Sequence, residues 1–335
     1  MPKTKLFSKE IIERIKNAEE AKIVQPVQVG QTDKENELVF FFKPELLEVE
    51  DPQKLQNSLD LVEKKFSEFN VKVSGAAIVP GIVLEEHEIM NRHYGFINQL
   101  SRMASEMVDE DIRQRLFEKL DVDNPERYQI LGGHEFLVHF ETDIKSLSEV
   151  WFAQEAIKLR SGFYFIADTF HDQKIILVNG FHPSQLEHFT REDHRIYLML
   201  LHSDTDWASL KFDLVGDTFP KRANQGSIRG ILYANPTKFG QEEVGINTNG
   251  VHLSAGPFEA AFEVVNFFGD LIEFDPGETP PLAIQKTLEV GLSRRQSLEL
   301  LGNPEVDDSD LFSETENLDT AAAVDIVKKS FGNPE

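Results

Sequence analysis

The sequence predicts a mixed α/β (α+β) protein in which strands alternate with helices and return to one sheet. Three observations carry that expectation. Leu38 to Phe42 is an unbroken apolar run of strand length, which suits a central strand covered on both faces. After it, Asp51 and Pro52 make a helix start, and Leu55, Leu59, Val62, Phe66 and Phe69 recur at the spacing of a buried helical stripe. Ile196 to Leu201 then reads as another apolar strand that rejoins the same sheet.

The remaining elements follow in order. Residues 8–22 read as a short amphipathic helix capped by Ser8, with Ile11, Ile12 and Ile15 on one side, so 1–35 is expected to be an N-terminal helical arm. Val71 to Val79 reads as a strand and Leu84 to Met107 as a helix carrying Tyr94. Ile112 to Leu120 and Ser146 to Arg160 look helical, whereas Phe163 to Phe170 and Lys174 to Phe181 form a hairpin pattern around the polar turn His171-Asp172-Gln173. Little periodicity is visible from Val215 to Val251, and a loop of that length inside a compact domain points to function. Pro257 suits a first helical position and Gly269 the stop, with Phe258, Phe262 and Val265 on the buried face. Beyond a Pro- and Gly-rich break, Ser293 with Gln296 forms a capping box for a helix ending at Gly302. From Asn303 to Glu335 nine acidic residues stand against Lys328 and Lys329, so 273–335 reads as an acidic C-terminal extension whose tail is mobile or docks late.

Composition narrows the function classes. The 335 residues are 40% hydrophobic, ample for a real core, and 34 Lys and Arg against 58 Asp and Glu give a formal charge of −24. That balance repels nucleic acid and anionic lipid, so neither is an expected partner, although a local basic pocket for a nucleotide is compatible with it. With no cysteine there are no disulfides, thiolate metal sites or cysteine nucleophiles. No apolar run reaches membrane-span length and the first residues are charged, which sets a cytoplasmic expectation.

The chemistry concentrates between Gly226 and Gly269. Gly226-Ser227-Ile228-Arg229-Gly230 opens it, and Asn249-Gly250-Val251-His252-Leu253-Ser254 closes it just before the Pro257 helix. An arginine and a histidine are thereby aimed at one pocket, and Glu263, two turns into that helix, is placed to reach back toward them. The pattern resembles the nucleoside diphosphate kinase family. Lys43-Pro44 after the first strand, His93-Tyr94 on a following helix, the Gly216-Asp217-Thr218-Phe219-Pro220 turn and the short helical stretch Trp207 to Leu214 before it are also similar, in the family's order.

The resemblance implies a ferredoxin-like βαββαβ sandwich split into 36–107 and 191–272, with 108–190 as an inserted helix and β-hairpin subdomain. It implies magnesium-dependent transfer of the γ-phosphoryl of a nucleoside triphosphate to a diphosphate through phospho-His252. Glu263 would orient the imidazole and Ser254 would stand beside it. Lys43 and Arg229 would hold phosphates, Thr218 would donate a hydroxyl, Tyr94 would bond near the transferred group, and Asn249 would hold sugar and phosphates. A homodimer or larger homo-oligomer is implied as well. Departures set a second expectation, a nucleotide-binding or assembly module with weak or no kinase activity. Phe212 replaces a second phosphate-binding arginine, with Lys211 one residue off register, Leu253 replaces a glycine, and the loop before Asn249 is enlarged.

Other constellations are weaker. His134-Glu135 with His139 misses the four-residue spacing of a helical zinc site and reads as part of a strand. His182, His188 and His194 are evenly spaced without a partner motif, and Asp121-x-Asp123-Asn124 lacks the glycine and closing glutamate of a calcium loop.

Overall fold

The computed structural model describes residues 5–120, 125–160, 162–272, 274–306 and 309–332, which leaves Asp121, Asp123 and Asn124 outside the described residues. The chain is a mixed α/β protein and divides into two compact units, one running to Leu84 and resuming at Glu192, the other Glu85–Arg191. The second unit therefore begins earlier than residue 108, the start expected for an insertion. Strands are numbered along the chain: β1 Lys22–Gln25, β2 Asn36–Phe42, β3 Lys72–Pro80, β4 Gln129–Gly132, β5 Ile157–Arg160, β6 Phe163–Phe170, β7 Gln173–Val178, β8 Arg195–Ser203 and β9 Val251–Leu253.

The first unit is built on a sheet of order β1-β3-β8-β2-β9, antiparallel at every pairing. All of β2 is buried, which is why its run is apolar without alternation. Its side chains still divide by pleat. Leu38, Phe40 and Phe42 join Leu55, Leu59, Val62 and Phe66 of the Pro52–Glu68 helix, with the Phe40 and Phe66 rings edge-on at 5.1 Å. Phe41 points to the other face and meets Phe267 of the Pro257–Ile272 helix at 5.4 Å. The Pro52–Glu68 helix starts where Asp51 accepts a hydrogen bond from the Gln53 N–H.

Several expectations need correction in this unit. The N-terminal arm is a 3-10 turn at Lys5–Phe7 and an α-helix over Lys9–Lys16 that stops short of residue 22; β1 follows and pairs with β3 at the sheet edge. Four residues with one half-covered face carry too little apolar alternation to announce a strand. The Pro257 helix continues through Gly269 to Ile272, and its buried stripe runs through Phe258, Ala261, Val264, Phe267 and Phe268, with Phe262 and Val265 only half-buried. Of the two expectations for the acidic tail, mobile or docking late, its described residues show a docked segment. Thr320–Phe331 is a helix whose Ala323, Val324 and Val327 pack with Phe258, Ala261 and Ile284, an apolar spacing that net charge conceals. The Ser293 and Gln296 capping box forms as expected at the Arg294–Glu299 helix.

The second unit carries a sheet of order β4-β7-β6-β5, parallel between β4 and β7 and antiparallel elsewhere. The β6–β7 hairpin turns on His171 and Asp172, both at positive φ, the geometry of a two-residue primed turn. The expected helix Leu84 to Met107 is three pieces, Gly81–Glu86, Ile89–His93 and Gly95–Met107, because Glu88 adopts a left-handed conformation and Tyr94 leaves helical geometry. The Ser146 to Arg160 helix spans Ile144–Phe152 and gives way to β5, where Ile157 and Leu159 alternate with exposed residues. His134, Glu135 and His139 lie in the helix Gly133–His139 rather than in a strand. His182 is buried against Asn98 and Gln185, a structural role. Among the described residues, no helix is long and apolar enough to cross a membrane.

A buried polar chain ties the first unit together. The Glu37 carboxylate accepts from the N–H groups of Gly30 at 2.7 Å and Leu282 at 2.8 Å, and meets His202 Nε2 at 3.0 Å, while His202 Nδ1 meets Ser74 Oγ at 2.7 Å. Replacing Glu37 with Ala strands two backbone donors and an imidazole away from water. Urea denaturation of Glu37→Ala is expected to show a loss of about 3 kcal/mol, and a loss under about 1 kcal/mol would mean these groups find other partners.

Candidate functional site

His252 occupies the centre of β9, three residues long, where register places it opposite Phe41 of β2. Side chains of directly opposed residues share a face, so the imidazole lies on the Phe41 ring with centroids 4.5 Å apart and planes 15° from parallel. From the other side the Pro257–Ile272 helix brings up Glu263, which has no exposed surface. Its Oε1 meets His252 Nε2 at 2.7 Å, and its Oε2 accepts from Ser254 Oγ at 2.5 Å. Ser254 Oγ in turn accepts from the Val39 N–H at 2.9 Å. The carboxylate selects the tautomer with the proton on Nε2 and the lone pair on Nδ1. Burial, with the cations of Lys211, Lys43 and Arg229, holds the imidazole pKa well below its usual value, so the ring is neutral at pH 7.

Those three cations define the hollow. Lys43 ends β2 just before Pro44, buried at 7% exposure; burial lowers its pKa to about 8 against the pull of Glu45, and Arg229 adds to the lowering. Arg229 sits on the Ile228–Ala234 helix, whose start is capped by Ser227 Oγ accepting from the Gly230 N–H at 3.1 Å. Its Nη1 donates to Gly216 O at 2.9 Å and its Nη2 to Val251 O at 2.8 Å. The guanidinium thus joins the Gly216 turn to the histidine strand.

Lys211, noted in the sequence only as a cation one residue off register, was not counted among the site residues. The segment from Trp207 starts as a helix and widens into a π-turn over Leu210–Val215. An i→i+5 turn changes the angular phase of side chains relative to an α-helix. Phe212 is exposed, and Lys211 is half-buried within electrostatic reach of Arg229, Glu259 and Glu263, its pKa lowered chiefly by burial and then by Arg229. Among the described residues, neither the Lys43 nor the Lys211 ammonium has a hydrogen-bond or ion-pair partner. Glu259 was also missed, although its position one turn before Glu263 is readable as an i, i+4 pair. Burial, then the Glu263 carboxylate, pushes its carboxyl up to about 8, and it accepts from the Ala255 N–H.

The other expected residues fall as follows. Asn249 is buried and its Nδ2 donates to Thr218 O at 3.1 Å; the Asn249 Oδ1 is buried and has no hydrogen-bond partner among the described residues. Thr218 is exposed and enters this contact through its carbonyl, not its hydroxyl. Tyr94 belongs to the Glu85–Arg191 unit, where its ring lies edge-on to His93 at 4.6 Å and His182 at 5.7 Å. The first unit thus gathers His252, Glu263, Ser254, Lys43 and Arg229 with Lys211 and Glu259, and ties Asn249 to Thr218.

No protein-family model matches the chain, and a search of curated proteins finds no match. The geometry itself makes one prediction. Nitrogen-15 spectra of histidine-labelled protein are expected to show His252 as a neutral Nε2–H tautomer from pH 8 down through 6.5, with no midpoint near the ordinary imidazole value. An inflection at that ordinary value would contradict the burial and cation arguments together.

Proposed function

We propose that the first unit is a phosphotransferase of the nucleoside diphosphate kinase type, working through a phosphohistidine at His252. One observation carries the reading: a buried lysine and a half-buried one, neither ammonium hydrogen-bonded to a carboxylate, stand with a buried arginine around a neutral imidazole oriented by a buried carboxylate. Burying an uncompensated ammonium is costly, and a polyphosphate supplies the oxygens that would relieve it. The strand order β3-β8-β2-β9, with a helical connection after β2 and another before β9, suits the ferredoxin-like sandwich that the sequence resemblance implies.

In the first half-reaction the Nδ1 lone pair of His252 attacks the γ-phosphorus of a nucleoside triphosphate. The Nδ1–P bond forms as the bond from phosphorus to the bridging oxygen breaks, and the diphosphate leaves with that electron pair. The ring becomes cationic in this step, and Nε2–H donation to Glu263 stabilises it. In the second half-reaction a terminal oxygen of another diphosphate attacks the phosphorus and the P–N bond breaks. Lys43, Lys211 and Arg229 supply the charge that accumulates on the phosphoryl oxygens. Glu263 and Glu259 are directed at His252, Ser254 and the Ala255 N–H, so magnesium fits this site on the phosphates it accompanies, as part of the substrate.

A specific observation also favours the second expectation, nucleotide binding with slow chemistry. Arg229 donates through both Nη atoms to backbone carbonyls, and Asn249 donates to Thr218 O, so contacts to a nucleotide would have to exchange with these.

Two measurements test the proposal. Incubation with γ-labelled ATP is expected to give an acid-labile label on wild type and none on His252→Ala; equal labelling of both ends the assignment. Affinity for a triphosphate is expected to be retained below pH 8 and to fall about tenfold as pH rises through the Lys43 pKa of about 8, because the deprotonated amine loses its charge-assisted contact. Lys43→Met should bind weakly and without that dependence.

A further inference from the structure

The segment Thr315–Thr320, deep in the region expected to be a loose acidic tail, fastens three pieces of the site's frame. The Asn317 N–H donates to Ala255 O at 2.8 Å, directly after Ser254. The approach is so close at the next residue that a Cβ on Gly256 would stand 2.5 Å from Thr315 O, a contact only glycine permits. Asp319 Oδ1 accepts from the Trp207 N–H at 2.7 Å and from Asn36 Nδ2 at 2.9 Å, and Asn36 Oδ1 accepts from both Thr320 N–H and Thr320 Oγ1 at 3.0 Å. Trp207 opens the turn that carries Lys211, Asn36 opens β2, and the Trp207 Nε1–H donates to Ser254 O at 3.2 Å. Behind the segment, the Thr320–Phe331 helix is anchored in apolar packing with Phe258 and Ala261. In front of it Glu316, whose Cα would lie 3.3 Å from a Cβ on Gly256 just before the helix that carries Glu259, bears an exposed carboxylate within electrostatic reach of Lys211 and Glu259.

We propose that Thr315–Thr320 is a positioning strap that sets the place of the Lys211 ammonium, with Asp319 holding the turn and Glu316 competing with an incoming polyphosphate for that charge. The strap thereby tunes the affinity of the hollow for polyphosphate anions from outside the histidine strand. This rests on the reading of the hollow as a polyphosphate site, and it goes beyond it by naming which residues adjust that site. Asp319 and Glu316 are positioning residues; neither is assigned contact with the transferred group.

The test uses the full chain and inorganic tripolyphosphate, titrated by calorimetry, so that it does not depend on turnover. Asp319→Ala is expected to bind about tenfold more weakly, and Asp319→Asn, which keeps an acceptor oxygen, to recover most of the loss. Glu316→Gln is expected to bind about threefold more tightly, as removal of a solvent-exposed competing charge would produce. Opposite shifts from one short segment separate positioning from general destabilisation, which would weaken both. If Asp319→Ala fails to fold, the exposed Glu316→Gln decides alone. Affinities of Asp319→Ala and Glu316→Gln both within about twofold of wild type, a weaker Glu316→Gln, or no tripolyphosphate binding by wild type would each overturn the strap. Loss of histidine labelling with these shifts intact would instead strike the phosphotransfer reading and leave the strap standing.

Discussion

The arrangement around His252 depends on one buried carboxylate. Glu263 has no exposed surface, and a charge in that position is tolerated only when donors replace the water it has lost. Two side chains do so, His252 Nε2 on one oxygen and Ser254 Oγ on the other. Charge-assisted hydrogen bonds of this kind contribute about 1.5–3 kcal/mol each, enough to hold the helix and the short strand in one relation. The same contacts decide imidazole tautomer and ring plane, so stability and chemical orientation come from a single set of bonds.

Around that anion the hollow is charged in the opposite sense to the molecule. A chain of formal charge −24 repels polyphosphate at long range, but such repulsion decays over about 8 Å at physiological ionic strength. Inside, Lys43, Lys211 and Arg229 act at short range in a medium that screens poorly. Lowering the Lys43 pKa from 10.5 to about 8 corresponds to a cost of about 3 kcal/mol to the charged ammonium relative to water.

The C-terminal region shows why composition misleads about order. Of its nine acidic residues only Asp325 lies within the Thr320–Phe331 helix, whose Ala323, Val324 and Val327 face the core. Disorder follows from too little apolar surface to bury, and here enough lies at helical spacing. Asp319, one of the charges that made the tail look loose, is the residue that pins it to Asn36 and Trp207.

Much of the frame was legible because it is written in local periodicity: the unbroken run of β2, the stripe of the Pro52–Glu68 helix, the β6–β7 hairpin and the Ser293 capping box. His252, Ser254 and Glu263 were readable as a group because they lie within a dozen residues on consecutive elements. Tertiary structure alone decided the rest. The π-turn that brings Lys211 to the hollow leaves no local pattern, since a shift of one residue in helical phase is visible only when something packs against it. The pairing of β1 with β3, the stacking of Phe41 on His252 and the Asp319 clasp join residues far apart in the chain. Spacing along a sequence records how each element presents its own faces; which distant face it meets is settled by packing, and the charge environment of the site follows from that.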